Sequence, residues 1–263
     1  MNVAGLIDIG ANLTHPQLFD QLDHIVNNII DSETDSVIIT SSNIQDIDIA
    51  LRIIDKYPKI FYTTAGFHPH NAKNFTIEDA SLIRQYSENK KIIAIGECGL
   101  DYYREYSTKK QQLLCFENQL IIAKECGLPI FLHEREAYKD FIYLLSQYKN
   151  SIDKAVVHCF TGTKEELTKY IDMGCYIGIT GWISDIKRGM HLHDLIKYIP
   201  EDRLMIETDS PYLIPKNLPF KNNGINQPSY LNYVAETIAQ CLNKDIELLK
   251  LSTINNTKAF FSI

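Results

Sequence analysis

The side chains best suited to chemistry in this 263-residue chain sit at the ends of four short apolar runs. IIAIG precedes Glu97, LPIFL precedes His133, KAVV precedes His158 and LMIET precedes Asp209. Two imidazoles and two carboxylates make a donor set for a divalent cation. Neutral imidazole nitrogen suits zinc and similar ions, and a carboxylate can bridge two cations or take a proton from a water attacking a substrate. Such a set reads as the centre of a metal-dependent hydrolase. Taken singly, each residue has a plainer account: Glu97 as a solvated acid, Asp209 as a turn former in Asp-Ser-Pro, each histidine as a structural residue. Their recurrence at one place in four runs is what argues for a shared site.

Other residues fall near the same run ends. Asp8 ends the first run, where a possible site role competes with that of a buried acid hydrogen-bonded to backbone. GFHPH places His68 and His70 after the third run; His68 is read as a substrate contact, and His70 as a site residue or simple loop packing. Asp101, Tyr102 and Tyr103 follow Glu97, so this loop offers an acid behind the ligands and aromatic walls. Arg135, two residues after His133, suits a phosphate clamp or a surface ion pair. Cys98 and Cys159 adjoin the ligands but point the opposite way along an extended chain, which makes them packing residues. His191 and His193 form an HxH pair, yet on a helix i and i+2 face apart, and they are expected on an exposed surface.

Eight apolar, β-rich runs can position these groups: GLIDI, SVIIT, IFYTTAG, IIAIGE, PIFLH, AVVHC, CYIGIT and RLMIET. Their near-continuous hydrophobicity suits parallel strands covered on both faces. The fold class expected is α/β, a TIM (β/α)8 barrel, with a doubly wound sheet as the runner-up. Between the runs lie helix signals. Thr108 precedes KKQQLLCFENQLIIAKEC with Gly127 as a stop, and Thr163 with Glu166 forms a capping box before a segment ended by Gly174. The last helices are expected over 228–242 and 245–260. No linker divides the chain, so residues 1–263 are expected to form one domain.

Twenty-six basic against 33 acidic residues leave a net charge of −7, which argues against an extended electrostatic surface for duplex DNA. A nuclease is still compatible, because metal ions bring their own charge. The six cysteines contain no CxxC pair and are expected to be reduced thiols. No signal peptide or membrane-spanning run is evident, so a cytoplasmic protein with no membrane association is expected.

DIGANLTH, TAGFHPH, AIGECGLDYYR, FLHER, VVHCFTGT, YIGITGWISD and IETDSPYL, in that order, resemble the TatD family of metal-dependent deoxyribonucleases, within the metallo-dependent hydrolase superfamily. The likeness spans nearly the whole chain. It implies that Glu97 ligates and bridges metals, that His133 and His158 are imidazole ligands of one metal position, and that Asp209 is the remaining acidic ligand and the proton acceptor. It also implies that His68 lies near substrate phosphate and that Asp101 is the acid of the ECGLD loop. The chain departs from the broader family's Asp-x-His-x-His at Asp8-Ile9-Gly10-Ala11-Asn12, where Asn12 offers only a neutral amide oxygen, so that metal position should be weaker, rebuilt or empty. The DIG-x-NLT form resembles the TatD subgroup proper. Ile225-Asn226-Gln227-Pro228 replaces a frequent Arg-Asn-x-Pro and removes a candidate phosphate contact.

The activity expected is 3′ to 5′ exonucleolytic hydrolysis of DNA at single-stranded ends, of use in DNA repair or turnover of degraded DNA. It would use one or two ions of Mg2+, Mn2+ or Zn2+ and no protein partner. Hydrolysis of an amide or aminoacyl ester, and a metal-binding scaffold without turnover, are the alternatives.

Overall fold

A computed structural model of the chain describes residues 5–263. Every expected apolar run becomes a strand: β1 Leu6–Ala11, β2 Thr34–Ile39, β3 Phe61–Ala65, β4 Ile92–Asp101, β5 Ile130–Arg135, β6 Ala155–Val157, β7 Tyr176–Ile179 and β8 Leu204–Ile206. They make one eight-stranded sheet whose neighbours run in sequence order from β1 to β8, with parallel pairing in each described ladder. A doubly wound sheet reverses its order at a switch point, and this one does not. Past β8 the chain pairs back onto β1: the Asp209 N–H donates to the Gly10 carbonyl at 2.8 Å, and Asn12 N–H to the Ser210 carbonyl at 2.7 Å. The order is that of a (β/α)8 fold.

By density of contacts the chain forms two compact units. One comprises the chain up to Ile39, Cys159–Ile171 and Ile177–Ile263; the other comprises Thr40–His158 and Asp172–Tyr176. In the second unit β4 is buried at all ten positions, which explains why it is apolar except where it carries chemistry. The helix Lys109–Cys126 packs on it with Cys115, Phe116, Leu120, Ile122 and Ala123 buried. Thr108 and Gln111 cap that helix reciprocally, and Gly127 ends it at φ 64°, a left-handed conformation that costs glycine little. In the first unit, the Glu166 carboxylate accepts the Thr163 N–H at 2.6 Å and Thr163 Oγ1 accepts the Glu166 N–H at 3.3 Å, the capping box the sequence predicts. The final helices are Leu231–Leu242 and Ile246–Phe261, and residues 228–230, expected within the first of them, form a 3-10 turn ahead of it.

Close approach of β4 and β5 depends on glycine. A Cβ on Gly99, which has φ 139°, would lie 1.9 Å from the His133 carbonyl oxygen. Gly99→Ala is expected to lower the unfolding free energy by about 1–3 kcal/mol through backbone strain and strand separation, read from urea denaturation. Unchanged stability would show that the two strands relax freely.

Candidate metal centre

Glu97 does not end its strand, as the run pattern suggests; β4 continues four residues beyond it to Asp101. The β4–β5 register shifts between Ile95 and Cys98, an irregularity that turns the strand locally. Gly96 sits at φ 140°, and a Cβ there would meet the Phe131 carbonyl oxygen at 2.4 Å. Glu97 is thereby buried with its carboxylate aimed at three histidines. Oε1 lies 2.8 Å from His158 Nε2, 3.0 Å from His133 Nδ1 and 3.2 Å from His68 Nε2. His158 stands one residue past β6, and its Nε2 is 3.4 Å from His133 Nδ1.

Two of the three carboxylate-facing imidazoles, His68 and His133, differ in what their second nitrogens do. Nδ1 of His68 accepts the His70 N–H at 3.1 Å, so a neutral His68 ring carries its proton on Nε2 and donates from that atom. His133 has a carboxylate on each side: Glu97 at Nδ1, and Asp101 Oδ2 3.5 Å from Nε2, a buried atom with no closer hydrogen-bond partner among the described residues. Asp101 therefore faces the nitrogen that a ligating histidine turns away from its metal. Its Oδ2 also meets His70 Nε2 at 2.8 Å, and its Oδ1 accepts the Tyr103 and Arg104 N–H groups at 3.0 and 2.8 Å. His70 thus belongs to the site through Asp101.

Two buried glutamines that the sequence reasoning passed over hold these loops. Gln112 accepts the Asp101 N–H at 2.8 Å and donates to the Asp101 and Ser107 carbonyls at 3.0 and 2.9 Å. Gln119, two helical turns on, accepts the Phe67 N–H at 2.8 Å and donates to the Phe67 carbonyl at 3.0 Å. The available signal was a pair of amides seven residues apart on the apolar face of Lys109–Cys126.

Electrostatics follow from this geometry. Burial opposes the Glu97 charge, but His158 and His68 with two hydrogen bonds hold its carboxyl well below the usual range. Burial also opposes charge on His133, yet Asp101 and Glu97 reverse the balance and raise it. His68 goes the other way, lowered to about 4 chiefly by burial, and stays neutral. The donor set fits a divalent cation. Ligand bonds of about 2.0–2.2 Å in tetrahedral geometry place donor atoms about 3.3–3.6 Å apart; the His133–His158 side of the triangle is 3.4 Å, and the two sides to Glu97, at 3.0 and 2.8 Å, are hydrogen-bond lengths that open by about 0.3–0.5 Å to admit an ion. His68, Glu97 and His133 also bring ligand atoms within 4.8 Å of one another. The protonated Nε2 of His68 suits hydrogen-bond donation better than coordination.

Asp8, Asn12 and Asp209 lie in the other unit. Asp209 is half-buried at φ 52°, and its Oδ1 accepts from Asn12 Nδ2 at 3.0 Å. The Asn12 amide N–H also reaches the Ser210 carbonyl at 3.2 Å. Asp8 is fully buried and accepts from the Gly10 and Thr208 N–H groups and from the Thr208 hydroxyl, at 3.1, 2.9 and 2.5 Å. Burial pushes its carboxyl up to about 8 against those bonds. Asn226, from the altered Arg-Asn-x-Pro segment, donates to the Thr208 and Tyr212 carbonyls at 2.9 and 2.7 Å and fixes the turn around Asp209. Glu207, not singled out from the sequence, is completely buried and accepts the Cys159 N–H at 2.5 Å.

The remaining candidates are placed as follows. Arg135 lies 3.8 Å over the Tyr103 ring, a cation stacked on an aromatic face. Cys98 is buried, and burial holds its thiol well above the ordinary value. His191 and His193 do not share a site: their Nε2 atoms meet the Thr161 and Ile183 carbonyls at 3.0 and 2.8 Å, and His193 is half-buried, not exposed, because it packs on that loop. All six cysteines are free thiols. No helix among the described residues is long and apolar enough to cross a membrane.

Residues 7–262 match the family described as TatD related DNase. The chain belongs to the TatD family. A protein of Edwardsiella piscicida named 3'-5' ssDNA/RNA exonuclease TatD is 40% identical over 259 residues, covering 98% of this chain and 100% of that protein. The solved structure of a TatD family hydrolase from Entamoeba histolytica is 28% identical, covers 99% of each chain and superposes with a TM-score of 0.89. A TatD homolog from Escherichia coli, 21% identical, gives the same TM-score over 99% of each chain. The fold is accordingly the TIM (β/α)8 barrel.

Asp101→Asn is expected to weaken zinc or manganese binding by about 10- to 100-fold with the fold retained, measured by titration calorimetry and thermal melting. Equal affinity would remove Asp101 from the centre. Asp8 gives a pH prediction. A carboxyl with a folded pKa near 8 against an ordinary 3.8 binds its proton in the folded state. Its stabilising contribution is complete below about pH 4 and is lost as pH rises through about 8. Urea unfolding should show wild type losing stability between pH 5 and pH 8 relative to Asp8→Asn; parallel curves would contradict the protonated state.

Proposed function

We propose that the chain is a metal-dependent 3′ to 5′ exonuclease acting on single-stranded DNA ends, with RNA ends as further substrates, and that residues 1–263 serve as one catalytic domain. The observation that carries this is the single Glu97 oxygen within 3.2 Å of three imidazole nitrogens, in a TatD family chain. Relatives named 3'-5' ssDNA/RNA exonuclease TatD support the polarity and the substrate.

Glu97, His133 and His158 hold the cation, with Asp209 as the remaining acidic ligand. Two imidazoles and carboxylate oxygen favour Zn2+ or Mn2+ over Mg2+, which prefers all-oxygen shells. When bound, the cation polarises the phosphodiester and lowers the pKa of an attacking water. Asp209, a half-buried carboxylate that accepts a hydrogen bond from the Asn12 amide, accepts the proton of that water. His68, whose Nε2–H faces Glu97 Oε1 at 3.2 Å, would turn that donor from Glu97 to a phosphate oxygen, and its low pKa keeps it neutral across the physiological range. Asp101 and His70 orient His133 and take no part in bond cleavage. Free thiols throughout suit a reducing, cytoplasmic compartment, where trimming 3′ ends in DNA repair would use such an activity.

A 5′-labelled single-stranded oligonucleotide is expected to shorten from its 3′ end with added Mn2+ or Zn2+, while amides and aminoacyl esters are left intact. Asp209→Asn should lower kcat by about 10²- to 10⁴-fold. Turnover of amides or esters with no cleavage of oligonucleotides would replace this function with the rival hydrolase. Undiminished activity in Asp209→Asn would remove its catalytic role.

A further inference from the structure

The loop that follows β4 carries an arrangement that holding a metal does not require. Asp101 turns the chain by accepting two backbone N–H groups, and residues 103–106 then stand exposed. Tyr103 and Tyr106 are 53% and 56% exposed on a loop tied down at both ends by Gln112. Tyr102 differs: its hydroxyl donates to Asp140 at 2.8 Å and Lys109 covers its ring at 4.2 Å, so it anchors the loop and is already engaged.

Tyr103 is backed by cations. The Arg135 guanidinium lies 3.8 Å from its ring centre and that of Arg104 at 5.6 Å. Glu105, the loop's exposed acid, is paired with Lys109 at 3.7 Å, and Arg135 and Arg104 are the cations that face Tyr103. Tyr106 meets the His70 ring edge-on at 4.8 Å between centres, and His70 is in turn hydrogen-bonded to Asp101, the acid behind His133. One side chain therefore separates the exposed ring from the groups that line the candidate metal centre.

We propose that Tyr103, backed by Arg135, and Tyr106 form a stacking subsite for unpaired nucleobases at the 3′ end of the substrate strand. The inference rests on the nuclease function proposed above and deepens it. Every base offers a π face, so exposed aromatic rings bind single strands with little regard to sequence, and a guanidinium stacked on the ring adds attraction for the phosphates alongside. Bases within a duplex are covered by their neighbours and cannot lie on such rings without unpairing. The subsite thus selects frayed or single-stranded ends, favours purines for their larger face, and does not read the sugar.

Two experiments on the metal-loaded, full-length protein test this. In the first, a phosphorothioate oligonucleotide with 2-aminopurine at its 3′ terminus is bound. Wild type quenches the fluorescence, Tyr103→Phe retains the quenching, and Tyr103→Ala and Tyr106→Ala lose most of it. In the second, KM is measured on single strands with normal or abasic 3′-terminal residues. Each alanine variant raises KM about 10-fold on the normal strand, removing the base has a similar effect on wild type, and the two losses do not add. Quenching and KM equal to wild type in both alanine variants overturn the subsite and leave the nuclease intact. Losses that add in full on abasic strands reveal a general structural defect and also overturn it. If wild type cleaves no oligonucleotide, the nuclease function itself fails and the subsite with it.

Discussion

One carboxylate oxygen organises the second structural unit. Glu97 Oε1 has three imidazoles within 3.2 Å, and a buried charge of that kind persists only when it is met by opposite charge or by well-aimed donors. That demand propagates outward. It needs a local turn in β4 to aim the side chain inward, glycine at 96 and 99 so that β5 can approach, and β5 itself to present His133 at the matching height. The resulting cluster has a built-in asymmetry. His133 is raised and His68 lowered in pKa, so rings only 4.5 Å apart between centres hold different protonation tendencies. His68 can thus donate a hydrogen bond as a neutral group, whereas on His133 a cation competes with a proton that both carboxylates favour.

Neutral amides do most of the positioning around the charged groups. Gln112 and Gln119 each satisfy both a backbone N–H and a carbonyl, Asn12 donates to Asp209 and Asn226 braces the turn beside it. An amide carries donor and acceptor together, so it can pin an irregular loop without adding a charge that would compete for a cation. The loop segments carrying His68, Asp101 and Asp209 are therefore fixed by hydrogen bonds from side chains that never need to touch substrate.

The (β/α)8 order was legible because parallel strands buried on both faces leave a plain apolar signature, and all eight runs form strands. Glu97, His133 and His158 were legible for the same reason: an ionisable residue at the edge of such a run stands out. What periodicity could not reveal was that β4 continues through ECGLD, since Gly96 and Gly99 look like strand breakers and are in fact what permits close pairing. The roles of Gln112 and Gln119 were hidden because a buried amide on a helix looks, in sequence, like a surface residue out of phase. The stacking of Arg135 on Tyr103 was not legible, because the partner is an aromatic face and no charge pattern announces such a pairing.

The central claim is that Glu97, His133 and His158 converge on one cation. Crystals of the protein grown with Zn2+ or Mn2+ and measured at the metal absorption edge give the most direct test. The anomalous map should show a peak within about 2.0–2.2 Å of a Glu97 carboxylate oxygen, His133 Nδ1 and His158 Nε2. A fully loaded protein whose peaks all lie away from these three atoms would contradict it.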